Sequence, residues 1–147
     1  MASVQQRYKE QAIMTATPAE LTGMLYDALV RNIKLSIIHI DDKNFMEANK
    51  SITKAMDIIR ELSMSLATEV EISYEFFKYY NYMADRLLEA NIKKDKEILL
   101  NVQHLAEEFA DLWKQILLTA AAASGGVSAA NKAGIVNRDK PPVFDGV

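Results

Sequence analysis

The chain has 147 residues, a net charge of −3, no cysteine, and only five glycines and three prolines. This length suits one compact domain with a sizeable core, and the scarcity of chain-breaking residues favours long helices. The charge balance disfavours nucleic acid as a partner, because binding phosphates needs a basic face. No apolar run approaches the roughly 20 residues that span a bilayer, which disfavours direct membrane insertion. The absence of cysteine excludes disulfides and thiolate chemistry. The N-terminus lacks the pattern of a secretory signal, so we expect a cytoplasmic protein.

The first predicted elements are a short N-terminal segment, residues 1–16, and a long helix over 18–40. The N-terminal segment is polar apart from a small apolar patch around Ile13. In the sequence that follows, Thr17 can cap a helix, the next residue is a proline suited to the first helical position, and Glu20 completes a capping box. The start of the first long helix is therefore well marked.

Three more long helices follow. Asn44 can cap a second helix over 45–66, and Thr68 with Glu71 offers another capping box before a third helix over 71–91. A turn then leads to the fourth helix, residues 95–122. Short loops between long helices imply antiparallel neighbours. The sequence therefore predicts an all-α fold, an antiparallel up-down four-helix bundle, with residues 1–123 as its domain.

The composition changes at the end of the chain, over residues 124–147. This segment contains small, polar and turn-forming residues without helical periodicity. We interpret it as an irregular tail that is either flexible or packed on the bundle. One hypothesis places Val143 and Phe144 of this segment on the surface of the bundle.

The apolar positions distinguish two kinds of helix. Helices 45–66 and 95–122 each have one apolar stripe opposite a charged side, as a bundle helix requires. Helices 18–40 and 71–91 have apolar residues on more than one face. Within 74–83, six residues are aromatic. One face of helix 71–91 carries Phe76, Tyr80 and Met83, which suit the core. A second face carries Tyr74, Phe77, Ala84 and Leu88.

Surplus apolar surface needs a cover, since a bare patch of several hundred Å² invites aggregation. The cover is the chain's own ends, a second copy in a homodimer, or a different protein. Catalysis has little support. The two histidines, His39 and His104, are expected at a helix end or facing solvent, and no metal, phosphate or nucleophile motif occurs. We therefore expect a protein that has no enzymatic activity and binds no cofactor or metal.

Several short motifs, taken in order, are similar to those of one known family. The motifs are Tyr8-Lys9-Glu10-Gln11, Thr15-Ala16-Thr17-Pro18, Leu25-Tyr26-Asp27, Ile58-Ile59-Arg60-Glu61-Leu62, Tyr80-Asn81-Tyr82-Met83 and Leu88-Glu89-Ala90-Asn91. In this spacing the chain resembles the flagellar secretion chaperones that bind flagellin, over about residues 4–117. The resemblance implies a cytosolic four-helix bundle without enzymatic activity. It also implies that the bundle holds the disordered C-terminal segment of flagellin and is delivered to the flagellar export gate protein.

Together, the surplus faces and the resemblance predict a flagellin-binding surface. Its predicted residues are Tyr8, Ile13, Leu21, Leu25, Leu29, Tyr74, Phe77, Ala84 and Leu88. Met24 and Met83 are expected to add adaptability. The resemblance further implies that the N-terminal segment, with Ile13 and Met14, covers part of this surface when no client is bound.

Overall fold

A computed structural model of the protein describes residues 3–66 and 72–122. These residues form five helices: α1 (Val4–Thr15), α2 (Pro18–Asp41), α3 (Phe45–Leu66), α4 (Ile72–Lys93) and α5 (Lys96–Ala122). The four long helices begin and end within two residues of the predicted bounds. The sequence-based prediction missed α1, which is closed at its start by a reciprocal capping box between Ser3 and Gln6. The predicted capping box at Thr68 and the segment 124–147 lie outside the described residues.

The four long helices pack in a ring in which α2 and α4 each lie between α3 and α5. The predicted all-helical bundle is thus confirmed, with α1 as an addition to it. Helix starts follow the predicted chemistry. The Thr17 hydroxyl accepts a hydrogen bond from the backbone N–H of Glu20 at 3.1 Å, and the Asn44 side chain accepts one from the N–H of Glu47 at 3.4 Å. Lys43 and Lys94 have left-handed backbone conformations, with positive φ angles. They lie in the two described turns between long helices.

Polar and aromatic contacts tie α2 to α5 along most of their length. The Trp113 indole N–H donates to the backbone carbonyl of Ala19 at 2.8 Å. A Cβ on Gly23 would lie 3.3 Å from the Trp113 ring, so the small residue permits the close approach of the two helices there. Towards the other end, Lys34 pairs with Glu107. The same seam also contains the pairs Asp27–Lys114 and Asp41–Lys96. Asp27 therefore pairs with α5 here, and not with Arg31 as its helical spacing allows.

The core is filled by one face of each long helix. Phe109 of α5 lies at its aromatic centre, with ring centroids 5.6 Å from Phe76 and 6.2 Å from Tyr80 of α4. The Tyr26 ring of α2 stacks parallel to it, with the centroids 6.3 Å apart. The Tyr26 and Tyr80 hydroxyls hydrogen-bond to each other across the bundle. Each buried hydroxyl thus has a hydrogen-bond partner. Burying either hydroxyl without a partner would cost free energy.

A second buried hydroxyl pair connects α2 and α3. The Ser36 and Ser51 Oγ atoms are 2.6 Å apart, and both side chains are buried. The Ser36 hydroxyl also lies 2.8 Å from the backbone carbonyl of Asn32, to which it can donate. No buried side-chain nitrogen or oxygen within the described ranges lacks a hydrogen-bond partner. The buried polar side chains of the described residues are thus all hydrogen-bonded within the protein.

The buried tyrosine pair predicts an alkaline limit to stability. Burial raises the pKa of Tyr26 to about 12, although its hydrogen bond with Tyr80 acts in the opposite direction. Burial, with Tyr26 alongside, also raises the pKa of Tyr80. In the unfolded chain a tyrosine releases its proton near pH 10, whereas the folded protein retains both protons. This contribution is therefore fully present below pH 10 and is lost as the pH rises through the folded-state pKa values.

We expect the wild-type protein to lose about 2 kcal/mol more unfolding free energy between pH 10 and 11 than a Tyr26→Phe/Tyr80→Phe double variant. Urea unfolding at the two pH values measures the difference, and the double variant controls for every other group that titrates there. Equal losses in the two proteins would show that the pair does not keep its protons in the folded state.

Candidate functional site

Helix α1 exposes its apolar side chains. Tyr8 and Ile13, both predicted to bind a client, are exposed, as are Val4 and Met14. Every side chain of α1 that the structure describes is exposed, and α1 does not belong to the ring of packed helices. The implied covering of the bundle by Ile13 and Met14 is therefore not the arrangement in this structure.

The predicted residues of α2 have different surroundings. Leu21 and Leu25 are half-buried at the edge of the helix, whereas Leu29 is fully buried in the core. Leu29 therefore has no exposed surface for a partner to contact. It lies on the core face of α2, as does Ile33 one turn later. Outward-facing apolar residues nevertheless follow α2 from end to end. This α2 outer row consists of Leu21, Met24, Ala28, Leu35 and Ile38.

The predicted residues of α4 lie on the flank that faces α3. Phe77 and Ala84 are half-buried, and Leu88 keeps 49 % of its surface exposed. The Tyr74 side chain is outside what the structure describes. The Asn91 side chain donates a hydrogen bond to that of Asn49 on α3 at 2.8 Å, which fixes how the two helices are aligned. Asn91, Leu88, Ala84 and Phe77 follow one another at helical spacing, so this whole flank is turned towards α3.

The alignment identifies a groove between α3 and α4. Seven residues are nearly two full helical turns, so Met56 occupies the flank of α3 that Asn49 marks, and Ala84 occupies the matching flank of α4. Because the helices are antiparallel, Met56 lies opposite Ala84. Met46 and Met64 lie about 60–80° further around α3 than Asn49 and Met56, on its outermost face. We define the α3–α4 groove by four residues: Met56, Phe77, Ala84 and Leu88.

Large apolar side chains are also exposed beside the groove. Met46 and Met64, on the outer face of α3, are 73 % and 70 % exposed, and Ile92 near the end of α4 is 75 % exposed. Sequence reasoning missed Met46 and Met64, because α3 has one clear apolar stripe and its other side appeared to be only charged. The available signal was two large apolar residues on that charged side, 18 residues or five turns apart. Met83, expected to add adaptability, is fully buried and cannot do so.

The predicted residues do not converge in one cleft. Since α2 and α4 occupy opposite corners of the ring, the α2 outer row and the α3–α4 groove lie on different faces of the bundle. A partner that contacts both must extend around the bundle. The predicted residues that the structure describes thus lie on the exposed α1, along α2 and on one flank of α4.

Charged side chains also occupy the outer face of α4. Glu89 pairs with Arg86 and with Lys93, the latter at 2.9 Å. The hydrogen bond from Lys93 lowers the pKa of Glu89, which therefore stays ionised. A further pair, Glu75–Lys78, lies near the start of α4. These exposed pairs keep the outer edge of α4 soluble and contribute little to stability.

The described residues offer no arrangement for metal chemistry. His39 is half-buried in the last turn of α2, and His104 is exposed on α5. In the ranges 3–66 and 72–122, no three His, Asp or Glu side chains are grouped to hold a metal ion. Over the same ranges, no helix is both long and apolar enough to cross a membrane.

Four long helices pack in a ring around an apolar core, and further apolar side chains are exposed on the outer faces. These features define an all-helical bundle with exposed apolar surface. Residues 1–120 match the family described as flagellar protein FliS. The chain belongs to this family. Relatives named flagellar secretion chaperone FliS share 37 % identity over 110 residues in Bacillus subtilis and 30 % over 113 residues in Escherichia coli. Each alignment covers 75 % of this chain and 83 % of the relative. The Salmonella typhimurium relative is 31 % identical over 110 residues, which are 73 % of this chain and 82 % of that protein.

Proposed function

We propose that this protein is a cytoplasmic export chaperone whose client is flagellin. It binds the disordered C-terminal segment of flagellin on its outer apolar surfaces, prevents premature polymerisation, and aids delivery to the flagellar export gate. One observation carries the proposal. The core is already full, yet large apolar side chains stay exposed along the α3–α4 groove and the α2 outer row in a member of the FliS family.

The physical demands of such a client match these surfaces. Ordering a disordered segment costs several kcal/mol, so the chaperone must bury a large apolar area in return. A groove between two helices that exposes side chains at helical spacing suits an amphipathic helix of the client. Met46 and Met64 are unbranched and can repack around different side chains. Phe77 adds area with little loss of rotamer freedom.

The predicted site residues divide into three parts under this proposal. Phe77, Ala84 and Leu88 belong to the α3–α4 groove, where Tyr74 at the start of α4 extends the same predicted surface. Leu21 and Leu25 bind the client at the edge of α2, and Leu29 supports them from the core. Tyr8 and Ile13 present α1 to the client and to the export gate protein.

The chaperone role requires binding and release only, without catalysis or a cofactor. Neither nucleic acid nor the membrane interior is a partner in this proposal.

Titration with a peptide from the C-terminal end of the host's flagellin tests the proposal. We expect a one-to-one complex, a negative heat-capacity change from apolar burial, and added helicity in circular dichroism. A scrambled peptide of the same composition is the control. Absence of binding, or equal binding of the scrambled peptide, would refute the proposed client.

Light scattering distinguishes the chaperone from the alternative, which is a helical adaptor that homodimerises through its surplus apolar surface. A monomer that binds the peptide supports the chaperone proposal. A stable dimer whose formation blocks the peptide would support the alternative and contradict the proposed function.

A further inference from the structure

One charged side chain interrupts the α2 outer row. Arg31 is exposed, and along the helix it lies between Ala28 and Leu35. At 100° per residue, Met24, Ala28, Leu35 and Ile38 all lie within about 60° of Arg31 around the helix. The positive charge is therefore part of the same outward face as the apolar side chains.

The charged neighbours of Arg31 on α2 are engaged by α5. Asp27, one turn earlier, pairs with Lys114, and Lys34, one turn later, pairs with Glu107, each at 3.8 Å. Within the described residues, the Arg31 side chain takes part in no ion pair or hydrogen bond. The α2 outer row thus contains a positive charge that its own helix does not neutralise.

Asp111 is the acidic residue of α5 that lies level with Arg31. It follows Glu107 by one turn and precedes Lys114, so it lies between the two ion pairs of the seam, as Arg31 does. Asp111 is exposed and is not paired with Arg31. An exposed pair of this kind would contribute little if it formed. Arg31 therefore remains available to a partner.

A client that covers the α2 outer row also covers Arg31. Removing a guanidinium from water without an acceptor is costly, whereas a hydrogen-bonded carboxylate offsets that cost. The planar fork of donors on arginine matches the two oxygens of a carboxylate. We propose that Arg31 is a specificity-determining residue, which pairs with an acidic residue inside the apolar stretch of the client. The inference rests on the proposed function, because it concerns the client of that same surface.

The spacing of the row describes the segment that would fit it. Ala28 and Leu35 lie three and four residues from Arg31, and Met24 and Ile38 lie seven residues from it on either side. A client helix packed along α2 therefore needs an acidic residue with apolar residues about one and two turns away in both directions. A helix with a wholly apolar stripe would leave Arg31 covered and unpaired, so it would bind more weakly.

Charge substitutions at Arg31 test the pairing in calorimetric titrations with the peptide from the C-terminal end of the host's flagellin. Arg31→Gln is expected to weaken binding about five- to tenfold, and Arg31→Glu about 30- to 100-fold, because the reversal adds repulsion. Added salt is expected to weaken binding to the wild-type protein more than binding to Arg31→Gln. Unchanged affinity in both variants would overturn the proposal.

Two other positions provide the controls. Lys50 is exposed on the outer face of α3, outside the α2 outer row and the α3–α4 groove. Lys50→Gln and Lys50→Glu make the same charge changes and are expected to alter the affinity by less than about twofold. Asp111→Asn is expected not to weaken binding. A loss as large as that of Arg31→Gln would show that Arg31 acts through α5 and not on the client, which would contradict the proposal.

A charge exchange in the peptide identifies the partner of Arg31. Each acidic residue of the peptide is replaced by lysine in turn, and every peptide is titrated into the Arg31→Glu variant. One lysine peptide is expected to bind this variant about tenfold more tightly than the unmodified peptide does. A role of Arg31 in folding alone cannot produce such a recovery. Recovery by none of the peptides would overturn the pairing.

The pairing and the proposed function fail in different ways. A wild-type protein that binds the flagellin peptide without any dependence on Arg31 would refute the pairing and leave the client in place. A wild-type protein that does not bind the peptide would contradict both.

Discussion

The Leu88→Asp variant is expected to bind the flagellin peptide about 30- to 100-fold more weakly than the wild-type protein. Leu88 keeps 49 % of its surface exposed in the α3–α4 groove. Under the proposed function, a bound client would cover that surface and desolvate the side chain. A central apolar contact of this kind contributes about 2–3 kcal/mol to binding, and a carboxylate in its place would be buried without a partner. Isothermal titration calorimetry of both proteins measures the change.

Leu100→Asp is the matched control. Leu100 is also partly exposed, at 39 %, but it lies on α5, away from the groove. Both substitutions remove a half-buried leucine from a helix, so each is expected to lower the unfolding free energy by about 1–2 kcal/mol. Only Leu88→Asp is expected to weaken peptide binding. Similar losses of affinity in the two variants would show that the groove is not the binding surface.

Phe109→Ala is expected to lower the unfolding free energy by about 3–5 kcal/mol, the range for removing a large aromatic side chain from a core. Phe109 is 1 % exposed and contacts the rings of Tyr26, Phe76, Tyr79 and Tyr80. Its removal leaves a cavity where four rings meet. Urea unfolding followed by far-ultraviolet circular dichroism measures the loss.

Phe77→Ala makes the same chemical change on the outer flank of α4. Phe77 is half-buried, so we expect a loss of about 1–2 kcal/mol, because its exposed part is already in water. The difference between the two variants measures how much more stabilisation an aromatic side chain contributes in the core, at Phe109, than on the flank of α4, at Phe77. A loss as large as that of Phe109→Ala would place Phe77 in the core and remove it from the proposed groove.

The fold was largely predictable because its signals are local. Thr17, Pro18 and Glu20 mark one helix start through hydrogen bonds made within a single turn, and the period of apolar residues marks each core face. Helix α1 was missed because its apolar residues do not form one stripe. Its capping residues, Ser3 and Gln6, carried the signal.

The surface was less predictable because it depends on which helices are neighbours. Periodicity assigned a second apolar face to α4, but it could not show that α3 completes the groove with Met56. It also grouped Leu29 with Leu25, although four residues along a helix advance the side chain by 40° past a full turn. That rotation is enough to move Leu29 from the edge of α2 into the core. Whether Tyr74 contributes stays a prediction.

The buried hydroxyl pairs, Ser36–Ser51 and Tyr26–Tyr80, have a consequence for recognition. One connects adjacent helices and the other connects opposite corners of the ring. Sliding α2 by one turn, about 5.4 Å, would separate both pairs and leave the two buried tyrosine hydroxyls without each other, at about 1–3 kcal/mol for each, whereas each serine keeps a backbone carbonyl of its own helix as acceptor. The two pairs thus fix the axial alignment of α2 relative to α3 and α4. Apolar positions on the outside therefore keep fixed intervals. Under the proposed function, a client segment would need apolar residues at matching intervals.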